Sequence, residues 1–137
     1  MPVFTDSENV YAVLVPFFNR LKDDPEIGPK IMQSGLIIQF RYTEPDAVIT
    51  IDCPKVEILQ GELDLTPTVT MSMKSTIAHR FWLGKVSLMV ALTKREMIAK
   101  GPVASIMKLL PIIKNSYSMY NDYLREIGLE DKITNWD

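Results

Sequence analysis

Residues 68–73 read TVTMSM, Thr68-Val-Thr-Met-Ser-Met73. Polar and apolar side chains alternate through the stretch, so Val69, Met71 and Met73 point to one side of an extended chain. Thr68, Thr70 and Ser72 point to the other. A helix would not keep the two kinds apart at this spacing. Period two with one apolar side belongs to a sheet that buries one face and wets the other, the habit of antiparallel sheets.

The same period extends outward from this strand. In LIIQFRYT (36–43), Leu36, Ile38, Phe40 and Tyr42 share one face, and Gln39, Arg41 and Thr43 the other. Glu44-Pro-Asp46 predicts a turn, AVITIDC (47–53) a second strand and VEILQG (56–61) a third, weaker one. MIAKG (97–101) reads as the last strand.

Helical spacing fills the remainder. Thr5-Asp-Ser-Glu8 fits a capping box with Thr5 as N-cap and Glu8 reaching back. Val10, Val13, Leu14, Phe17 and Leu21 follow at helical intervals, and Pro16 is expected to kink or restart the helix. Asp24-Pro25 starts a short helix with Pro25 in its first position, ending at Gly35. Ser75 is placed to cap a helix carrying the pairs Ile77/Phe81 and Ala78/Trp82, which Gly84 stops. Ser87 caps another through Leu92.

Pro102 opens a final helix with the seam Val103, Ile106, Met107, Leu110, Ile113, Tyr117, Tyr120, Leu124 and Ile127. Pro111 bends it near Met107 and Gly128 ends it. The sum is one α+β domain over residues 1–137: a five-stranded, mostly antiparallel sheet covered by helices.

Composition limits the function classes. A net charge of −2 gives no basic excess to drive nucleic-acid binding. One cysteine, Cys53, forms no intrachain disulfide and calls for no oxidising compartment. The start MPVFTDSENV lacks the basic-then-apolar order of a secretory leader, the end KITNWD shows no recognisable peroxisomal or lipidation signal, and no apolar run is long enough for a bilayer-spanning helix. A cytoplasmic protein is expected. Eight methionines among 137 residues suit an adaptable apolar interior, and core filling is their plainer role.

The residues with chemical potential are few. His79 is the lone histidine, beside Arg80 and at helical spacing, which predicts a surface or rim residue. No nucleophile motif surrounds Cys53, and one His with one Cys rarely completes a metal site. Gly84-Lys85 lacks the earlier glycine and the Ser/Thr of a phosphate-binding loop. Asp52, Glu57, Glu62 and Asp64 fit exposed strand faces and turns rather than an acid/base pair. Lys94, Arg95 and Lys100 fit a solvated sheet edge. No catalytic residue, metal site or cofactor is expected.

Gly35–Leu110 resembles the sterol carrier protein 2-like domain. The resemblance rests on an ordered set: Thr70-Met-Ser-Met73, then Gly84-Lys85, Gly101, and Met107-Lys108-Leu109. Arg95-Glu96 stands where that family commonly has a second Gly-Lys, and Ser87-Leu88 where it often has Asn-Pro.

The resemblance implies a non-enzymatic carrier that holds fatty acid, fatty acyl-CoA, sterol or phospholipid in an internal apolar tunnel. By position, Phe81, Trp82, Val86, Met89, Val90, Met107, Leu110 and Ile113 are the expected lining, with Lys85 and Lys100 near a headgroup. At most transient membrane contact follows, and a homodimer stays open. The main alternative is an accessory module with a closed core that docks onto an enzyme, with Tyr117, Tyr120 and Tyr123 as a docking surface. An isomerase-like enzyme would need a buried acid beside a tyrosine, and the order of elements does not suit one.

Overall fold

The computed structural model describes residues 3–135. Met1, Pro2, Trp136 and Asp137, part of the chain ends read above for targeting signals, lie outside them. The five strands are β1 (Ile37–Thr43), β2 (Ala47–Asp52), β3 (Glu57–Gln60), β4 (Val69–Lys74) and β5 (Met97–Lys100). They form one sheet in the order β3-β2-β1-β4-β5. Three neighbouring pairs are antiparallel, while β1 and β4 run parallel. The first three strands make a meander; the chain then crosses from the outer strand β3 to the far side of β1. Arg41, on the back face of β1, holds that crossing segment by an ion pair to Glu62.

Register keeps the alternation in phase across the sheet. Phe40 lies between Ile49 and Met71, and Tyr42 between Ala47 and Met73. The back face is polar, as expected, yet not bare: Gln39, Thr50 and Asp52 are buried there. Their polar groups are linked, with the Gln39 amide donating to Thr50 Oγ1 at 3.3 Å and Arg41 donating to Gln39 Oε1 at 2.8 Å.

Helices cover the apolar face. α1 (Ser7–Asp23) packs Val10, Val13, Leu14, Phe17, Phe18 and Leu21 inward and remains one helix across Pro16. Pro16 offers no N–H to the carbonyl of Ala12. The adjacent Val13 carbonyl accepts the Tyr123 hydroxyl at 2.6 Å. The N-cap is Asp6, one residue later than expected, and Glu8 does not reach back. Asp6 accepts from the Asn9 N–H at 2.8 Å, and Asn9 Oδ1 accepts from the Thr5 N–H at 3.2 Å. Asp serves at least as well as Thr in that role.

α2 (Ile27–Met32) begins after Asp24, whose carboxylate accepts from the N–H groups of Glu26 and Ile27. α3 (Ser75–Trp82) follows β4 directly. Ser75 is not its side-chain cap. Its buried hydroxyl sits 3.1 Å from the Thr43 carbonyl and 2.7 Å from that of Pro45, pinning the helix start to the β1–β2 turn. Ser87 caps α4 (Leu88–Thr93) as expected, accepting from the Val90 N–H.

The single bent final helix is instead three. α5 (Val103–Met107), α6 (Leu110–Ile113) and α7 (Tyr117–Glu126) are separated at Lys108-Leu109 and by a short 3-10 turn, Lys114–Ser116. Pro111 removes the N–H that would bond to Met107, and the helix breaks rather than bends. A further 3-10 turn, Glu130–Ile133, returns the chain toward α3.

Gly84 stops α3 at φ +83, and a Cβ there would meet the Tyr117 ring at 2.8 Å. Gly84→Ala is therefore expected to lower stability by about 1–2 kcal/mol from the left-handed backbone alone. Urea unfolding checks this; a larger loss would mean that the Tyr117 ring cannot move aside, and no loss would overturn the backbone argument.

Candidate functional site

His79 is buried rather than at a rim. Its Nε2 lies 2.8 Å from the Lys132 backbone carbonyl, which only accepts, so Nε2 carries the proton. Nδ1 then accepts from the Tyr120 hydroxyl at 2.7 Å. Both ring nitrogens are thus committed to structure, joining α3 to α7 and to the segment beyond it. Burial is the main cause that lowers the His79 pKa; the Lys132 carbonyl opposes it, and the Lys132 and Arg80 charges add to it. The neutral ring is a clasp without a free lone pair for substrate.

The other chemical candidates lie apart. Cys53 is buried, and burial pushes its thiol pKa up, the reverse of an activated nucleophile. Among the described residues, no group of three His, Cys, Asp or Glu side chains could hold a metal ion. Lys85, Lys94, Arg95 and Lys100 are exposed.

The interior feature of interest is an apolar cavity between the sheet and the helices, of about 50 Å³. Its floor is the inward row of β1 (Ile38, Phe40 and Tyr42) with Met71, Met73 and Met97 from β4 and β5. Phe18 and Leu21 of α1 and Phe81 and Trp82 of α3 form one wall, while Ile106, Leu109, Leu110 and Ile113 form another. Phe18 anchors the inner wall, its ring centroid 5.5 Å from Phe40 and 5.4 Å from Trp82. Lys22 is the one charged residue of the lining and Tyr42 brings its one hydroxyl. An engineered cavity of about 150 Å³ accepts benzene, so this space is narrower than an open lipid tunnel.

The expected lining residues divide. Phe81, Trp82, Leu110 and Ile113 face the cavity. Val86 and Met107 pack against the core outside the lining. Met89 and Val90 are 56% and 48% exposed and border a separate shallow groove with Thr93 and Lys94, so their inward placement is corrected. α4 buries only Leu88 and Ala91, leaving the opposite side of its six-residue turn to solvent. Tyr120 and Tyr123, expected on a docking surface, are buried in the core, while Tyr117 is half-buried.

Sequence reasoning missed Phe18, Lys22 and the β1 and β4 rows as lining. The rows were already assigned inward, but period two does not say which helix lies over which strand.

Two outcomes follow from these placements. His79→Gln should cost ~1–3 kcal/mol at pH 7.5, because Tyr120 or Lys132 loses a buried partner. The folded His79 pKa lies below the ordinary value of about 6.5, so its neutral form favours folding above that pH. That contribution falls as pH drops from about 6.5 toward the folded value, and the gap between wild type and variant should narrow by pH 5.5 in urea unfolding. Separately, Met89→Ser and Val90→Ser should each change stability by no more than about 0.5 kcal/mol, against ~3 kcal/mol lost in Phe81→Ala.

No protein-family model matches the sequence, and no curated protein matches it. Solved structures do match in fold. The sterol carrier protein domain 2 of Helicoverpa armigera superposes with a TM-score of 0.64 at 13% identity, over 80% of this chain and 88% of that one. Sterol carrier protein 2 of Aedes aegypti, solved with the C16 fatty acid palmitate, gives 0.54 at 20% identity, over 78% and 93%. A ubiquinone synthesis protein, UbiJ-SCP2, gives 0.57 at 10% identity, over 80% and 89%. The mixed five-stranded sheet with helices on its apolar face is, in this chain, the sterol carrier protein 2 fold.

Proposed function

We propose that this protein is a cytoplasmic, non-enzymatic lipid carrier that holds one apolar chain between the sheet and its helices. The observation that carries the reading is the cavity wall: twenty residues, of which only Lys22 is charged. Burying a chain there yields roughly 0.8 kcal/mol per CH₂.

The cavity must widen to take a chain, and the α5–α6 segment is the part suited to yield. α6 is one turn long and has no fully buried residue. Ile106 and Leu109 are the buried anchors of the α5–α6 segment, and opening a segment held by two such side chains costs far less than global unfolding. Lys22, at the end of α1 with its ammonium 3.7 Å from Asp23, stands at the edge where an anionic headgroup would rest. Lys85 and Lys100, first expected in that role, do not border the cavity. The palmitate held by the Aedes aegypti protein supports a fatty-acid-sized ligand on this fold.

The narrowness of the cavity also favours a second reading, an accessory module with a closed core. The fold shared with the ubiquinone synthesis protein supports it. In that reading the purified chain would contain no lipid and would ignore added fatty acid.

Native mass spectrometry and organic extraction of the purified protein separate the two. With Trp136→Phe leaving Trp82 as the emitter, palmitate should shift Trp82 fluorescence saturably. Leu110→Asn should weaken palmitate binding about tenfold, the loss expected for one leucine side chain no longer packed on the lipid. No extracted lipid together with unchanged Trp82 emission would sink the carrier reading.

A further inference from the structure

Tyr42 is anomalous in its position. It continues the inward row Ile38, Phe40, Tyr42, where β-strand periodicity calls for another apolar side chain, and it lines the cavity. Across the strands it faces Ala47 and Met73, neither of which offers a side-chain acceptor of ordinary strength. The residue is 3% exposed, and its hydroxyl has no hydrogen-bond partner. Three other tyrosines are satisfied: Tyr11 accepts from the Val48 N–H, Tyr120 bonds His79, and Tyr123 donates to the Val13 carbonyl. A buried hydroxyl without a partner is rare, and phenylalanine would fill the same volume without the penalty.

We infer that Tyr42 is a ligand-recognition residue: the cavity takes an apolar molecule bearing a neutral acceptor oxygen, of the ketone, ester or quinone carbonyl class, and Tyr42 donates to that oxygen. This rests on the reading that the cavity holds an apolar chain. Burial, with Tyr120 a smaller cause, keeps the phenol protonated far above neutral pH, so it is always a donor. A neutral oxygen fits better than a carboxylate. No cationic residue other than Lys22 lines the cavity, and Lys22 lies at the end of α1 while Tyr42 lies near the end of β1, beside Met73. The hydroxyl is already stripped of water in the folded protein, so bonding to the ligand demands no further desolvation on the protein side.

The test compares 2-decanone, n-decane and sodium decanoate on wild type and Tyr42→Phe, with ketone and alkane measured by headspace partition and decanoate by equilibrium dialysis. Tyr42→Phe should weaken the ketone about tenfold while leaving decane and decanoate within twofold. The infrared carbonyl stretch of bound 2-decanone should lie lower in wild type than in Tyr42→Phe. Unfolding of the ligand-free variant should be no easier than that of wild type, because no protein bond is lost. An equal ketone affinity in both proteins overturns the role of Tyr42 while the carrier reading stands. A loss for decanoate as large as for the ketone overturns the neutral oxygen. Failure of all three to bind wild type overturns this inference and the carrier reading together.

Discussion

One apolar sheet face has to be covered, and the rest of the molecule follows from how that is done. Ile38, Phe40, Tyr42, Ile49, Ile51, Val69, Met71, Met73 and Met97 form a continuous apolar surface once the strands pair in register. Exposed, such a surface would be a large unfavourable area in water. α1 lays Phe17 and Phe18 toward it, and α3 adds Phe81 and Trp82. Phe17 then sits within 4.7 Å of Tyr120 and 5.4 Å of Trp82 between ring centroids, so three helices share one aromatic hub.

That hub is rigid where its polar tips are bonded and looser where they are not. Tyr120 and Tyr123 each pack a ring and satisfy a hydroxyl, which fixes α7 against α1 and α3. The other side of the sheet face is covered by α5 and α6, five and four residues long. Helices this short carry little cooperativity of their own and depend on the side chains they lay on the sheet. The cavity lies between the two halves of the cover, with Phe18, Phe81 and Trp82 on one side and Ile106, Leu109, Leu110 and Ile113 on the other. A void lined by Leu, Ile, Met and Phe costs stability in proportion to its volume, about 24 cal/mol per Å³, so a small one is inexpensive to keep. The cover thus has an aromatic end with bonded polar tips and an aliphatic end built of two very short helices.

His79 illustrates how chemistry-bearing residues are absorbed by the same constraint. It lies on the inward side of α3, so burial excludes water from the imidazole and both nitrogens need partners from the protein. Tyr120 and the Lys132 carbonyl supply them, from segments 41 and 53 residues later in the chain. Tyr42 lies on the same apolar surface, and its hydroxyl has no such partner within the protein.

The sequence by itself determined the strands, their inward rows, the two glycine and serine signals around α3 and α4, and the absence of a recognisable catalytic motif. These are local matters: period two, turn chemistry and capping depend on neighbours a few residues away. It also carried the ordered motif set from Thr70 to Leu109 that resembles the fold later observed. Tertiary structure alone decided the parallel pairing of β1 with β4, the break of the last helix into three, and the inward turn of His79, Tyr120 and Tyr123. It alone decided which apolar residues line a space and which fill the core. Leu88 and Met89 are adjacent and similarly apolar, yet one borders the cavity and the other faces solvent, because a short helix buries only the side that its neighbours happen to meet.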